Sequence, residues 1–459
     1  MLFPLDGGTW AEEQFGDCEL GDQRRTKRVI KMAQQIADNP SGSFPKQMEA
    51  WGDVKAAYRL FDQDDVTFEA IAGPHWERTR RVVPGRYLVI SDTTELDFGI
   101  HRDIEGLAPT GNGGGRGFHL HNALMVDAES QEIVGLAGQR IHYRKPKPKK
   151  ENASQRLKRD RESKIWGEVI DDVGPPPEGA QFIHLCDRGG DSFEVFCHLI
   201  EQSGDWVVRC CTPHRVIVTP DDQQMPLSEY LKTLPVGGGY ELTLRSRPGQ
   251  AARTAKLEVR FGELRMPVPR HKSPYVKRLN PDPIRMWVIE VREVDAPEGV
   301  EPIEWVLYTS LPIKTFKDAW EAIGYYESRW LVEEYHKALK SGCRVTQRGL
   351  RDASRLESMV GLLSVVAVRL LQLKSVARTD PDRPARQIVP PLWLKMLKAA
   401  RKNLSRVYDL TVGQFYRELA KLGGFLGRKS DGEPGWITIW RGWEKLNMLV
   451  RGAELMSRP

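Results

Sequence analysis

The chain has 459 residues, of which 40% are hydrophobic and 28% are charged. This length exceeds one ordinary domain and predicts two or three, and the composition excludes wholesale disorder. The formal net charge of +6 at pH 7 favours a polyanionic partner only weakly, because many basic proteins bind no nucleic acid.

Six cysteines are spread along the chain, and none of them forms a C-x-x-C pair. This spacing excludes a zinc knuckle and favours reduced thiols in an intracellular protein. The N-terminus lacks the basic region and long apolar run of a signal peptide. The longest apolar stretch, Met359–Leu373, is interrupted by Arg369 and is too short to span a membrane. We expect a soluble cytoplasmic protein with no membrane partner.

Residues from about 8 to 66 have helical spacing and clustered arginines. Leu20–Arg28 leads into one helix, and Ala56–Phe61 lies in a second. A small basic helical domain of this kind is typical of duplex-DNA readers. The alternative is a solvated helix face, and the pattern alone leaves both open.

Short apolar strands begin after Pro84-Gly85. The predicted strands are Tyr87–Ser91, His119–Val126, Ile133–Arg140 and Gln181–Cys186, with a glycine-rich loop at 111–115. No G-x-x-x-x-G-K-[ST] loop is present, so ATP use is not indicated. The stretch Tyr143–Lys164 is strongly basic, which suits either contact with a phosphate backbone or simple solvation. Its basic residues are Arg144, Lys145, Lys147, Lys149, Lys150, Arg156, Lys158, Arg159, Arg161 and Lys164.

Residues 205–310 have an all-β pattern separated by Gly and Pro turns. The predicted strands there are Asp205–Arg209, Tyr240–Arg245, Ala255–Arg260, Met286–Val291 and Trp305–Tyr308. From Thr315 the pattern is helical to the end, with breaks at Thr379–Pro384 and Lys429–Gly435.

Two apolar strands are each followed directly by an aspartate, Asp92 and Asp187. Sites in sheets flanked by helices form at the carboxyl ends of strands. Two carboxylates on neighbouring strands repel each other, and divalent cations with oxygen ligands relieve that repulsion. The structural alternative is that each aspartate caps a turn or helix.

The segment Tyr325–Lys340 predicts one amphipathic helix. At about 100° per residue, one face carries a polar stripe opposite an apolar core face. The stripe consists of Tyr326, Arg329, Glu333, Lys337 and Lys340. The carboxylate of Glu333 lies among basic side chains in this stripe. Such an arrangement is typical of a metal ligand that lies beside a bound phosphate. The alternative is an exposed face with i,i+4 pairs such as Glu333 with Lys337.

The spacing Tyr326-x-x-Arg329-x-x-x-Glu333-x-x-x-x-x-x-Lys340 resembles the tyrosine–arginine–glutamate–lysine signature of the insertion-sequence-four family of DDE transposases. That family includes the transposase of bacterial transposon five. Asp92-Thr93-Thr94 and Cys186-Asp187-Arg188 are similar to its first and second catalytic aspartates. The likeness covers nearly the whole chain, from Leu20-Gly21-Asp22 to Leu422-Gly423-Gly424-Phe425. It departs from the family at Gly189-Gly190, where the relative carries larger residues.

This resemblance implies an α/β fold with a ribonuclease-H-like catalytic core over residues 67–375 and a β-rich insertion at about 205–310. A helical DNA-end-binding domain would occupy residues 1–66. A helical dimerisation domain would occupy residues 376–459, with Leu422–Phe425 offering small residues for close helix approach. The expected partners are double-stranded DNA, as transposon ends and target, and a second copy of the chain in a bacterial, nucleoid-associated synaptic complex.

The resemblance also implies the chemistry. Asp92, Asp187 and Glu333 would hold two Mg²⁺ ions, with Mn²⁺ able to substitute, and the site would cut DNA by in-line displacement at phosphorus. Nicking, hairpin formation, hairpin opening and strand transfer would use this same site with different nucleophiles.

Roles for the DNA-binding residues follow from the same likeness. In the family, residues that match Tyr326, Arg329 and Lys340 contact phosphates near the scissile bond, and Lys337 lies on the same stripe. Arg209 matches another phosphate contact. Trp305 resembles an aromatic residue that stacks on a flipped base in the family. The alternative is that Trp305 is an aromatic residue of the hydrophobic core. The candidate contacts with the transposon end are Arg24, Arg25, Arg28 and Arg59, although Arg59 could instead form a helix-packing salt bridge.

Three other functions remain open at this stage. An inactive relative would bind ends without cutting them, although the intact triad argues against this. A structure-selective nuclease without strand transfer would not need the Tyr326, Arg329 and Lys340 set. A glycosidase with paired carboxylates fits the basic stripe poorly.

Overall fold

The computed structural model describes residues 7–48, 50–111, 114–145, 148, 150–152, 155–156, 159, 161–244, 251–404, 407–428 and 431–456. Several residues of the predicted loops, strands and basic stretch lie outside the described residues. They are Asn112, Gly113, Lys147, Lys149, Lys158, Arg245, Lys429 and Ser430.

Helices lie at both ends of the chain and between the strands. The α-helices are α1 (Gly7–Phe15), α2 (Gln23–Asp38), α3 (Phe44–Gln47), α4 (Trp51–Phe61), α5 (Phe68–Arg80), α6 (Ile165–Val173), α7 (Phe193–Glu201), α8 (Leu227–Thr233), α9 (Pro274–Leu279), α10 (Phe316–Glu327), α11 (Trp330–Lys337), α12 (Ala353–Thr379), α13 (Pro391–Ala400), α14 (Val412–Leu422) and α15 (Trp436–Met456).

The strands lie between residues 85 and 309. They are β1 (Gly85–Asp97), β2 (Ala108–Thr110), β3 (Gly115–Asp127), β4 (Ile133–His142), β5 (Ala180–Cys186), β6 (Asp205–Arg209), β7 (Val216–Val218), β8 (Gln224–Pro226), β9 (Val236–Leu244), β10 (Arg253–Met266), β11 (Ile284–Val294) and β12 (Glu304–Thr309).

These strands form one mixed sheet in the order β2-β3-β1-β5-β6-β12-β11-β10-β7-β8, with β4 also paired to β3 and β9 to β10. The central strands β1, β5 and β6 are parallel, and β3 and β12 pair antiparallel on either side of them. The carboxyl ends of the three parallel strands therefore meet at one edge of the sheet, which is where the site lies.

Side chains of the central strands alternate between two cores, as strand geometry requires. On one face, Leu88 and Ile90 of β1 pack with the N-terminal helices and with α10, α11 and α12. On the other face, Tyr87 and Val89 pack with α6 and α7. The sheet is thus covered on both sides, which explains the continuous apolar runs in the strand sequences.

Helix α12 lies at the centre of the first core. It has 27 residues, more than the apolar stretch Met359–Leu373, and by length and composition alone it could cross a membrane. In the fold, however, 89% of its most apolar window is buried inside the protein, as expected of a core helix. Arg369, which interrupts the apolar run, lies over the ring of Trp10 at 4.9 Å and is tolerated for that reason.

The region expected to be an all-β insertion differs from its prediction in two ways. Strand β6 pairs in parallel with β5 and belongs to the central sheet, so the β-rich segment extends the sheet beyond β6. Two short helices, α8 and α9, interrupt it. Helices α10 to α15 confirm the helical C-terminal region, with a further break between α13 and α14. The boundary expected at residue 376 falls within α12, which joins the core to the last helices.

Candidate functional site

Asp92 lies where β1 loses one of its two neighbours. Parallel pairing with β5 stops at Ser91 opposite Cys186, whereas antiparallel pairing with β3 continues to Asp97. The prediction that the strand ends at Asp92 was therefore wrong: the aspartate stands inside a longer strand. Its Oδ1 accepts a hydrogen bond from the backbone N–H of Thr93 at 2.8 Å, which orients the carboxylate at this step in the sheet.

Asp187 follows β5 directly, as predicted. It caps a single 3₁₀ turn, Arg188–Gly190, and accepts a hydrogen bond from the N–H of Gly189 at 2.7 Å. A Cβ at Gly189 would meet the ring of Trp166 at 2.7 Å, and one at Gly190 would meet Cβ of Cys186 at 2.5 Å. The two glycines that depart from the family pattern are required here because the turn lies directly against the core.

Glu333 is presented by α11, which packs on the sheet face that also carries Asp92. The predicted single helix is interrupted, because α10 ends at Glu327, a turn follows at Ser328-Arg329, and α11 begins at Trp330. A π-helical segment, Ala338–Gly342, then follows α11. Such segments contain an extra residue per turn, so positions beyond Lys337 depart from the simple helical projection.

Arg329 connects two of the three carboxylates. Its Nη2 donates to Oε1 of Glu333 at 2.6 Å, and its Nη1 donates to Oδ2 of Asp92 at 3.3 Å. Across the described residues, no group of three or more His, Cys, Asp and Glu side chains has a metal-holding arrangement. Within the site, the Arg329 guanidinium bridges Asp92 and Glu333.

The electrostatics of Asp92 show that the three carboxylates share one environment. Burial raises the pKa of Asp92 to about 6, and the negative charges of Asp187 and Glu333 contribute to that rise, against the opposing effect of Arg329. The carboxylates come from positions far apart in sequence, and the fold brings them close enough to repel each other. A cation that replaced Arg329 would relieve this repulsion.

Tyr326, Arg209 and Trp305 form a second group next to the carboxylates. Tyr326 is 6% exposed, and burial raises its pKa, whereas the charges of Arg329 and Arg209 oppose the rise. Arg209 also makes a side-chain hydrogen bond with Tyr326. Trp305 is half-buried, with its ring centroid 6.4 Å from that of Tyr326. The fold thus gathers these three residues from β6, β12 and α10.

The two lysines of the predicted stripe have different surroundings. Lys337 donates to Glu334 at 2.9 Å rather than to Glu333, the partner that the exposed-face alternative offered. Glu334 also accepts from Lys374 and from Trp436, which anchors α11 to α12 and α15. Lys340 is half-buried, and burial lowers its pKa while the carboxylate of Glu95 opposes that effect. Of the two lysines, Lys340 is therefore the one that forms no ion pair within the described part of the chain.

A buried polar network behind the site was missed by sequence analysis. Asn122 lies opposite Asp92 on β3, and its amide donates to Nε2 of His336 at 3.0 Å. Gln139 donates to Asn122 at 2.6 Å and to Tyr335 at 3.3 Å. The network ties β3 and β4, which lie beside the strand of Asp92, to the helix of Glu333. The adjacent polar residues His121 and Asn122 within a predicted strand were the signal that could have revealed it.

Known proteins resemble both ends of the chain. Residues 8–66 match the Transposase DNA-binding family, and residues 365–458 match the Transposase Tn5 dimerisation domain. Together, these two matches support a Tn5-like transposase. It is also similar to the cryo-EM structure of a piggyBac transposase synaptic complex with hairpin DNA, with a TM-score of 0.41 and 9% identity, over 100% of this chain and 83% of that one.

The DNA-binding domain of this transposase contains α1 to α4, and its candidate arginines have different surroundings. Arg25 donates to Asp65 at 2.9 Å, and Arg28 forms an ion pair with Asp53. Arg24 is 90% exposed and pairs with Asp22 at the start of α2. Arg59 is exposed and has no ion pair within the described part of the chain, which argues against the helix-packing alternative. Arg24 and Arg59 are thus the most accessible of the four.

The C-terminal helices of the transposase have their own core. Helices α14 and α15 cross closely at Gly423 and Gly442, where an added Cβ would lie within 2 Å of a backbone oxygen of the other helix. This confirms the close approach expected from the small residues, within a single chain. Several apolar side chains of α15 remain exposed. They are Ile437, Met448, Leu449, Leu455 and Met456. The match to a dimerisation domain indicates a homodimer, and these side chains offer an apolar surface for it.

Proposed function

We propose that this transposase binds DNA at transposon ends, cleaves them with a metal-dependent site formed by Asp92, Asp187 and Glu333, and joins the 3′ ends to target DNA. The observation that carries this proposal is the shared environment of the three carboxylates at the carboxyl edge of β1 and β5. Three carboxylates that repel each other lower the stability of a fold. Such clusters are therefore typical of sites that bind a cation or take part in catalysis.

A ribonuclease-H-like core is part of the proposal. Its support is a mixed sheet covered by helices on both faces, with a β-rich segment inserted between Asp187 and Glu333. The insertion leaves the two residues far apart in the chain and close in space, as one active site requires.

Magnesium fits the donors of this site in chemistry. Carboxylate oxygens are the ligands that Mg²⁺ prefers. The pKa of Asp92 is raised first by burial and then by the negative charges of Asp187 and Glu333, which a cation would offset. We propose that Asp92, Asp187 and Glu333 hold two Mg²⁺ ions, or Mn²⁺ in their place, once Arg329 releases Asp92 and Glu333. When bound, such ions activate the attacking hydroxyl and stabilise the leaving oxygen.

The residues around the carboxylates would orient DNA. Arg329 is suited to a phosphate because its planar guanidinium binds two oxygens at once, and it is already held at the carboxylates. Lys340 supplies a point charge, and Arg209 with Tyr326 would hold a second phosphate. Trp305, whose ring centroid lies 6.4 Å from that of Tyr326, would stack on a base displaced during hairpin formation.

Cleavage of a duplex with the inverted repeats that flank the gene tests the proposal. In Mg²⁺, the wild-type protein should nick the repeats, and Asp92→Asn, Asp187→Asn and Glu333→Gln should each lose roughly a thousandfold in rate while binding the repeats normally. Glu327→Gln, an exposed carboxylate on α10, is the matched control. Wild-type protein that bound the repeats and never cut them would overturn the enzymatic proposal and favour the binding-only alternative.

A further inference from the structure

A second basic site lies at the same edge of the sheet, on the face opposite α11. It is a cavity of about 540 Å³ at the beginning of α7, between that helix and the segment that leads to α9. Its lining includes Arg161, Asp191, Arg215, Arg270 and His271. Asp191 is separated from Asp187 only by the turn Arg188–Gly190, so the cavity and the carboxylates share one loop.

One ion pair forms the floor of this cavity. The side chain of Asp191 is fully buried and accepts from Arg215 at 2.5 Å and from the N–H of Cys211 at 2.7 Å. The charge of Arg215 is therefore neutralised within the protein. This pair joins the loop after Asp187 to the segment after β6 and gives the cavity a rigid base.

The other basic side chains of the cavity have no acidic partner. Among the described residues, Arg161, Arg270 and His271 form no ion pair with a carboxylate, and Glu194 is the one lining carboxylate outside the Asp191 pair. The Nε–H of Arg161 is inaccessible to solvent and has no hydrogen-bond acceptor among the described residues. A buried donor left without an acceptor is unfavourable, and a phosphate oxygen would satisfy it and match the charge of both arginines.

The position of the cavity indicates which phosphate it would bind. In the proposed function, Arg329, Tyr326 and Lys340 hold the transposon end on the α11 face. Strand transfer needs a second duplex at the same carboxylates, and the α7 face is the other side of that edge. Arg161 also lies near the end of the basic stretch Tyr143–Lys164, whose sequence is suited to lie along a phosphate backbone.

We propose that the cavity formed by Arg161, Arg270, His271 and the beginning of α7 binds the phosphate backbone of target DNA. This inference rests on the proposed function, because it presumes strand transfer at Asp92, Asp187 and Glu333. The cavity has no role in the chemical step. It holds the target duplex next to the three carboxylates.

The test compares two double variants of the full-length protein. Arg161→Ala with Arg270→Ala removes the two unpaired arginines of the cavity. Lys256→Ala with Lys277→Ala removes the same charge from exposed positions on β10 and α9 that do not line it. Equal thermal unfolding midpoints establish that both variants fold, and Arg161→Lys with Arg270→Lys keeps the charge as a rescue.

Binding of a duplex without transposon ends is measured first, as a function of salt. The cavity variant should lower the slope of log K against log salt by about 2, since each lost phosphate contact contributes about 0.9, and the control should leave it unchanged. Strand transfer from pre-cut ends should then need roughly tenfold more target DNA, while end cleavage stays within about twofold of wild type.

Three outcomes would overturn the inference. An unchanged salt slope would show that the cavity binds no backbone. Equal loss of end cleavage and strand transfer would assign it to end DNA. If the control variant changed DNA binding and strand transfer equally, the effect would come from the lower net charge and not from the cavity. Absence of cleavage by the wild-type protein would instead refute the proposed function, and the salt measurement would still report on the cavity.

Discussion

Arg329 donates to Glu333 at 2.6 Å, one helical turn away, and its other Nη nitrogen donates to Asp92. The guanidinium thereby places its positive charge between two carboxylates that would otherwise repel each other. In the proposed function the same side chain binds a phosphate. Binding of DNA and binding of metal would then be coupled, because a phosphate that attracts Arg329 would free Asp92 and Glu333 for metal.

Arg329→Ala should increase the affinity of the DNA-free protein for Mn²⁺ by several-fold, because no internal cation then competes for Asp92 and Glu333. It should also weaken binding to pre-nicked ends and lower the salt slope by about 1, as should Lys340→Ala. Calorimetric titration with Mn²⁺ and binding at several salt concentrations measure the two effects. Lys337→Ala is the control, since Lys337 pairs with Glu334. Unchanged Mn²⁺ affinity would refute the coupling.

Asp92→Asn should stabilise the metal-free protein more at pH 8 than at pH 4. The pKa of Asp92 is raised to about 6, so the folded protein holds this proton more firmly than the unfolded chain does. Stability from this group is present at low pH and is lost as pH rises from about 4 to about 6. Asp92→Asn has no such carboxylate and avoids that loss. Between pH 4 and pH 8, its free energy of unfolding relative to wild type should therefore rise by roughly 1–3 kcal/mol.

Thermal unfolding of both proteins at the two pH values measures this effect. Asp64→Asn, which changes an exposed carboxylate, is the control. A difference between Asp92→Asn and wild type that did not change with pH would show that the fold does not raise the pKa of Asp92.

Gly189→Ala should destabilise the protein by about 1–3 kcal/mol, because its Cβ would meet the Trp166 ring at 2.7 Å. Since the turn orients Asp187, cleavage should fall as well, more than stability alone explains. Gly324→Ala in α10 has no neighbour within 4 Å and should instead stabilise by up to about 1 kcal/mol. Denaturant unfolding and nicking rates measure both. A neutral Gly189→Ala would mean that the turn accommodates larger residues, as in the relative.

Cleavage should occur in trans within a dimer that bridges two ends. A mixture of Glu333→Ala with the Arg24→Ala and Arg59→Ala double variant should cut ends that neither cuts alone. The two exposed arginines are used because Arg25 and Arg28 hold the domain together through Asp65 and Asp53. A mixture of Glu333→Ala with Asp92→Ala should not complement, because both defects lie in the same core.

The apolar surface of α15 provides the assembly control. Met448→Glu with Leu455→Glu should abolish complementation and yield monomers by light scattering, because both side chains are exposed in the single chain. Failure of the first mixture, with mixed dimers demonstrated, would indicate cleavage in cis.

Local patterns predicted many of the elements correctly. Sequence patterns identified the apolar run before Asp187, the strands β3 and β4, and the amphipathic segment around Glu333. This is possible because hydrophobic periodicity and turn residues are properties of short stretches of sequence. Errors arose where a neighbour decided the outcome. Strand β1 continues past Asp92 because β3 extends beyond β5 as its partner. Lys337 turns to Glu334 because Lys374 and Trp436 hold that carboxylate nearby.

The sequence by itself determined the resemblance to a transposase family and the order of its motifs, and it selected the three carboxylates of the proposed site, since these depend on residue type and spacing. Only the tertiary structure decided which charges meet. Asp92 and Arg329 are 237 positions apart, and nothing local to either predicts that they bond. The same holds for the Asp191–Arg215 pair beneath the basic cavity. Side-chain pairing over such distances depends on how the sheet and helices pack, and packing is a property of the whole chain.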